Sequence, residues 1–342
     1  MTNSTVHPDL GHTSPRPAAH RHANAPATPS GPRTRTNPLL GGHHTAVGRV
    51  PRDAADQAGV VRAGSALADG LIGLPKLVAT DLDGTVVRSD NTVSGRTFAA
   101  FARIKAAGVP IVGVTGRGPR LLELSRRDLP VADYLVLAQG GHVVDLTTGP
   151  NPVTLFTDAM PSAVVADVIA TIEEAAGPLS ILIEPSGATD AFLWGEHHPS
   201  WRFADAVRPC TRLEAFSAPA IKAFAHSDTY NADELLVIAR SVVGPEIVEM
   251  TQAGLGYIEI CPRGVTKATG LQVVASQLGI DAADVLIFGD MPNDVPAFGW
   301  AGWSRVAVAN AHPELLALAD EVTLSNDDDG VAIYLERLLS DA

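Results

Sequence analysis

Residues 76–87 read KLVATDLDGTVV, a short apolar and β-branched run that ends on two acids one residue apart, followed by glycine and threonine. The run predicts a buried strand. A buried strand that closes by crowding two negative charges needs a neighbour that rewards the crowding. Residues two apart on an extended chain project to one side, so Asp81 and Asp83 are expected to face one ligand. A divalent cation is the simplest such ligand.

The chain on either side repeats one rhythm. SGRTFAAFARIKAAG (94–108) reads as a helix stopped by glycine, PIVGVTG (110–116) as a strand, PRLLELSRRDL (119–129) as a helix and YLVLAQG (134–140) as a strand. The rhythm returns late, with a helix in TKATGLQVVASQLG (266–279), strands in DVLIFGD (284–290) and RVAVAN (305–310), and PELLALA (313–319) as a short helix before EVTL (321–324). Strands alternating with helices predict right-handed βαβ units and a doubly wound parallel sheet. Between the two blocks the texture changes. SAVVADVIATIEEAAG (162–177) and NADELLVIARSVVG (231–244) read as helices, LSILIE (179–184) and AIKAFAHS (220–227) as strands, and EIVEMTQAGLGYIEIC (246–261) as a strand pair, with DAFLWGEHHPSWRF (190–203) irregular. The expected organisation is an α/β core over 73–157 and 259–342 with an α+β insertion over 158–258. Residues 1–72, dense in Pro, His, Thr and Arg without periodicity, bury too little apolar surface to offset ordering and are expected to be a disordered tail. Its six histidines (His7, His12, His20, His22, His43, His44), of eleven in the chain, are spaced without rhythm.

The totals exclude several classes. Of the 342 residues, 46% are apolar and 18% charged, as in soluble globular proteins. A formal net charge of −13 argues against binding a nucleic-acid backbone. The two cysteines, Cys210 and Cys261, form no spaced motif, and no apolar stretch approaches the ~20 residues of a membrane span. With no short apolar secretory core at the N-terminus, a cytoplasmic location is expected. Oligomeric state leaves no signal.

Each core strand ends on a polar side chain: Asp81, Thr115, Gln139, Asp290 and Asn310. Ligands of open parallel sheets sit beyond the carboxyl ends of the strands, so these residues are expected to converge. GDMPND (289–294) adds Asp290, Asn293 and Asp294 to the first acidic pair. An all-oxygen set suits magnesium, which binds through a few carboxylates together with substrate phosphate; with no Cys or His nearby it does not suit zinc or copper. The calcium-loop reading fails because Val86 stands where an EF-hand needs glycine. Lys267 opens a helix, where a cation opposes the helix dipole unless a negative site balances it. Thr115, in GVTGRG (113–118), offers a hydroxyl and free N–H groups at a strand-to-helix turn, a phosphate cradle.

DLDGT, VTGR, GVTK and GDMPND, in that order, resemble the four motifs of the haloacid dehalogenase (HAD) superfamily of phosphotransferases. VANAHPELLALADEVTLSNDDDGVAIYLE (308–336) resembles the tail of its Cof-type branch, and the insertion resembles that branch's α/β cap, type C2. The resemblance covers about 74–342. It implies Asp81 as the nucleophile that attacks phosphorus and Asp83 as the acid that protonates the leaving oxygen and then activates water. It implies Thr115, Gly116, Arg117 and Lys267 around the phosphoryl group, with Lys267 also steadying Asp81. Magnesium would be held by Asp81, Asp290 and the backbone carbonyl of Asp83, with Asn293 and Asp294 orienting that shell. The chemistry agrees: a carboxylate nucleophile splits a very slow displacement into two easier ones, and charge around the equatorial oxygens supplies most of the acceleration. One departure stands out. Where this branch reads NGA after its third strand, the chain has Gln139-Gly140-Gly141.

The cap of this family closes over the leaving group, which makes His197, His198, Trp201 and Arg202 in GEHHPSWRF (195–203) candidate substrate contacts. The expected activity is magnesium-dependent hydrolysis of a small soluble phosphomonoester, a sugar phosphate among the candidates. The alternatives are a phosphomutase or phosphotransferase on the same scaffold, a receiver-like phospho-switch, and a silent binding protein. The late GDMPND cluster and the hundred-residue insertion oppose the receiver. The presence of Asp83, needed for proton transfer and not for binding, opposes the silent protein.

Overall fold

The computed structural model describes residues 61–62, 73–187, 192–199, 201 and 204–342. Two sheets organise them. The first has nine strands in the order Val61–Arg62, Glu321–Val322, Ser304–Ala307, Val285–Gly289, Leu77–Thr80, Ile111–Val114, Tyr134–Leu137, His142–Asp145 and Val153–Thr157. The six strands from Glu321–Val322 to Tyr134–Leu137 run parallel; the outer ones are antiparallel. The inner strands Leu77–Thr80, Ile111–Val114 and Val285–Gly289 are buried at every position, as a parallel sheet covered on both faces requires.

From Leu77–Thr80 the chain winds outward through Ile111–Val114 to Tyr134–Leu137. From Val285–Gly289 it winds the other way through Ser304–Ala307 to Glu321–Val322. Right-handed crossovers running in opposite directions put helices on opposite faces. Helix Gly95–Ala106 accordingly packs with Gly330–Asp341, and Lys267–Leu278 with Val295–Trp300. The adjacent strands Leu77–Thr80 and Val285–Gly289 therefore flank the topological switch point, where an open sheet leaves its crevice.

The second sheet has six strands, in the order Val248–Gln252, Ile258–Pro262, Ala220–His226, Ser180–Pro185, Leu193–Gly195 and Val207–Pro209. It runs past the expected boundary at 258 to Pro262. One face carries Ile181, Ile183, Ala223, Ala225, Ile258 and Ile260 against helices Ser162–Ala176 and Ala232–Val242. The other gathers Leu182, Leu193, Trp201, Phe224 and Tyr257.

Two expectations need correction. Part of the segment expected to be a structureless tail is a strand: Val61–Arg62 pairs antiparallel with Glu321–Val322, whose outer backbone groups would otherwise form an open edge. The rest of 1–72 below Gly73, with its six histidines, lies outside the described residues. Within the stretch read as irregular, Leu193–Gly195 adds a strand to Ser180–Pro185, using backbone pairing that side-chain periodicity does not report. Among the described residues no helix is long and apolar enough to cross a membrane.

Candidate active site

Asp81 is the first residue beyond Leu77–Thr80, and its N–H donates to the Phe288 carbonyl of the neighbouring strand (3.0 Å). Asp290 is the first residue beyond Val285–Gly289, one step past the position level with Asp81. Register thus brings the two strand-end acids together at the switch point. Asp294 completes a buried trio whose carboxylate oxygens lie within 4.8 Å of one another. Lys267, at the start of helix Lys267–Leu278, is fully buried and donates to Asp81 Oδ1 and Asp294 Oδ1, each at 2.6 Å. The ammonium that opposes the helix dipole therefore has two carboxylates as its compensation.

Three carboxylates against one ammonium leave the pocket short of positive charge. Burial pushes Asp81 up to about 7, opposed by Lys267 and reinforced by the charges of Asp294 and Asp83. Asp290 also rises well above the carboxylate range, through burial and then the charges of Asp81 and Asp294. Burial alone would lower Lys267, yet Asp294 and Asp81 outweigh it and hold the group above the ordinary lysine value. A divalent cation relieves this imbalance, and an oxygen-only set matches magnesium's preference. Asp294 is already engaged: Oδ1 takes Lys267, and Oδ2 accepts the N–H groups of Asp290 and Met291 (3.0 and 3.1 Å). That leaves Asp81 and Asp290 as the residues that would hold the ion, with Asp294 orienting the loop.

The turn after Asp81 is built for this approach. Leu82 O accepts the N–H groups of Thr85, Val86 and Val87, and Thr85 Oγ1 donates to Asp290 Oδ1 (3.0 Å). Gly84 has φ +87°, and a Cβ there would overlap the Asp290 carboxylate. Gly84→Ala is therefore doubly disfavoured, by backbone strain of about 1 kcal/mol and by displacement of the Asp290 carboxylate, which would hold the ion. We expect at least a tenfold loss of magnesium affinity, on the order of a perturbed ligand-orienting contact, measured by calorimetric titration. Wild-type affinity would refute this reading of the turn.

The other expected residues are placed as follows. Asp83 does not turn its carboxylate to the trio. The chain leaves extended geometry after Thr80, so the alternation rule lapses, and Asp83 instead accepts Arg117 Nε (2.8 Å) and Nη2 (2.6 Å) with over half its side chain exposed. Arg117 also donates to Asp128 (2.7 Å), so its guanidinium is committed to two carboxylates. Thr115 is fully buried, and its Oγ1 accepts the N–H of Arg117 (3.1 Å) across Gly116. Asn293 Nδ2 donates to Gln139 Oε1 (3.3 Å), while its buried Oδ1 has no hydrogen-bond partner among the described residues. Asn310 Nδ2 donates to Gly84 O (2.8 Å), steadying the turn.

Several residues of the site, Gln139 apart, were not signalled by motif. Ala138 and Gln139 both have positive φ (+49° and +59°), a strained pair that aims Gln139 between Asn293 and the second sheet. There Gln139 Nε2 donates to Glu259 Oε2 (2.5 Å). Glu259 pairs with Lys222 (3.3 Å), and Lys222 Nζ donates to Gly116 O in the Thr115–Arg117 turn. Glu184 packs onto Gly118, where a Cβ would overlap its carboxylate, 3.9 Å from Arg120 Nε. One buried charged residue from each of three cap strands thus reaches the core. A signal existed: LSILIE, AIKAFAHS and YIEIC each carry a lone charge inside an apolar run, and buried charges are paired.

The cap candidates diverge. Trp201 is buried against Tyr257 (5.6 Å between centroids), and its Nε1 donates to Glu196 O (3.1 Å). His198 lies beside His226 and Asp228, and His197 is exposed. Arg202 lies outside the described residues.

A family model described as haloacid dehalogenase-like hydrolase matches residues 78–335. The chain is 26% identical over 275 residues to the stress response protein YhaX of Bacillus subtilis (strain 168), covering 77% of this chain and 92% of the relative. It is 27% identical over 290 residues to that organism's 5-amino-6-(5-phospho-D-ribitylamino)uracil phosphatase YwtE, covering 78% and 98%. A solved HAD subclass IIB sugar phosphatase has the same fold, with a TM-score of 0.64 at 20% identity over 78% of this chain and 100% of that one. With two strand-end acids joined by Asp294, a bridging lysine and a family match over most of its length, the chain belongs to the haloacid dehalogenase-like hydrolase family.

Proposed function

We propose that the protein is a magnesium-dependent phosphatase that hydrolyses a small soluble phosphomonoester through a phosphorylated Asp81. The observation that carries this reading is the placement of Asp81: buried, 2.6 Å from the Lys267 ammonium and grouped with Asp290 at the switch point. Asp81 attacks phosphorus, forming the carboxylate–phosphorus bond as the ester oxygen leaves. Lys267 holds Asp81 in place and faces the negative phosphoryl oxygens, which the Thr115–Arg117 turn cradles. Bound magnesium supplies further charge stabilisation for the phosphoryl group. Asp83, at the exposed mouth, gives its proton to the leaving oxygen once freed from Arg117, then takes one from the water that attacks phosphorus and releases Asp81. The relatives named as phosphatases of small phosphorylated metabolites support the substrate class.

The test is phosphate release across a panel of phosphorylated metabolites, with magnesium and with EDTA. Release from at least one ester, abolished by EDTA, is expected; silence across the panel in magnesium would reject the proposal. Asp83→Asn separates the proton step. It should bind magnesium normally yet lose about 10²–10⁴-fold on sugar phosphates, the usual range for a general acid, with a smaller loss on p-nitrophenyl phosphate, whose leaving group needs no proton. Equal losses on the two esters would count against the assigned role.

A further inference from the structure

A second cluster of metal-binding character lies on the cap. His198, His226 and Asp228 come from a loop, a strand end and the turn after it, and their donor atoms lie within 4.8 Å of one another. His198 Nε2 and His226 Nε2 stand 3.2 and 3.5 Å from the same Asp228 oxygen, Oδ1. Tetrahedral ligands on bonds of about 2.0–2.2 Å are separated by about 3.3–3.5 Å, so these distances match two edges of such a site.

The surroundings fix the donors. His226 Nδ1 lies 2.8 Å from Gly256 O, a contact that requires Nδ1 to carry the proton, so the neutral ring presents the bare Nε2 lone pair to Asp228. A proton or a cation between Nε2 and Oδ1 would draw these two lone-pair atoms together. A backbone carbonyl on the far ring nitrogen is also the usual support for a ligating histidine. Trp201 sets an edge against both rings, with centroids 6.3 Å from His198 and 5.9 Å from His226. Ser227 Oγ accepts the N–H groups of Thr229 and Tyr230, which holds the turn carrying Asp228.

We propose that His198, His226 and Asp228 form a binding site for a zinc-type divalent transition metal, separate from the all-oxygen trio. Two imidazoles and a carboxylate suit zinc and disfavour magnesium. Asp228 is 80% exposed, so this ligand is open to an ion arriving from solvent. His226 shares a strand and a face with Lys222 and Phe224. At about 3.3 Å rise per residue the site lies about 13 Å along the cap face from the lysine that reaches the phosphate-cradle turn.

The test uses full-length protein in equilibrium dialysis against zinc, with cobalt as the spectroscopic probe. Wild type should take up one more zinc equivalent than His226→Gln and Asp228→Asn, or bind it at least about tenfold more tightly. It should also show the intense visible bands of four-coordinate cobalt, which both variants lack. Because the histidines of residues 1–72 are common to all three proteins, they cancel. Asp228→Asn alters an exposed side chain, which keeps the test independent of packing. Asp81→Asn should retain the site. Identical zinc uptake and cobalt spectra in wild type and Asp228→Asn would overturn the proposal and leave a proton-linked contact only. Loss of the signal in Asp81→Asn would overturn it too, by placing the ion in the acid trio.

Discussion

Asp81→Asn loses phosphate release by on the order of 10⁴-fold or more, the scale on which removing a covalent nucleophile is felt, while its far-ultraviolet spectrum and thermal transition stay those of a folded protein. The amide keeps the shape and can still meet Lys267, so packing is unchanged. It cannot attack phosphorus, and Asp290 and Asp83 cannot replace it: Asp290 is held by Thr85, and the Asp83 carboxylate is turned away from the buried trio. Residual turnover within tenfold of wild type would remove Asp81 from the role.

The same substitution has a stability signature of opposite sign. Asp81 is held near 7 when folded, against about 3.8 when free. Between those values the folded state binds more protons than the unfolded state, so stability falls as pH rises through the window. In EDTA, wild-type protein should therefore melt lower at pH 7.5 than at pH 5, and magnesium should restore most of the difference at pH 7.5. Asp81→Asn deletes the charge, so its melting temperature should change less with pH and should exceed wild type at pH 7.5 without metal. Loss of function with gain of stability is the mark of a site that concentrates like charge for chemistry.

How far the sequence discloses this depends on whether a feature is local. The strand ends were legible because buried parallel strands are short apolar runs, and a polar residue at each end is visible without knowing its neighbours. The strands His142–Asp145 and Val153–Thr157 were not read. The first has only Val143 and Val144 between polar residues, and the second is exposed at three of its five positions, so neither shows the run of a buried strand. The orientation of Asp83 was misjudged for a local reason: alternation holds only while the chain is extended, and Leu82 O, accepting three N–H groups, curls it at once. The Gln139–Glu259–Lys222–Gly116 chain was out of reach for a global one. It depends on Ala220–His226 lying between Ile258–Pro262 and Ser180–Pro185, an order that pattern does not encode. Gln139 in place of the family's asparagine was visible as a departure; its meaning needed Glu259 across the junction.

Lys267→Met should be the most destabilising change at this site. The lysine is wholly buried, and both of its contacts are 2.6 Å. Removing it strands Asp81 and Asp294 beside Asp290 with no cation, and breaking a buried pair by deleting one partner costs about 3–5 kcal/mol. One term runs the other way. Lys267 occupies the first turn of its helix, where losing a positive charge gains about 0.3–1 kcal/mol. The pair wins by a wide margin, and the melting temperature should fall by about 10 °C. Lys267→Met also removes the charge that faces the phosphoryl group, so turnover should drop by about 10²–10³-fold or more. A double variant isolates the cause. Asp81→Asn added to Lys267→Met removes one of the stranded charges, so the double variant should be more stable than Lys267→Met alone, with a coupling of about 1–3 kcal/mol. If the two substitutions instead add without coupling, the ammonium is not what makes it tolerable to bury Asp81, and the electrostatic account of the site fails with it.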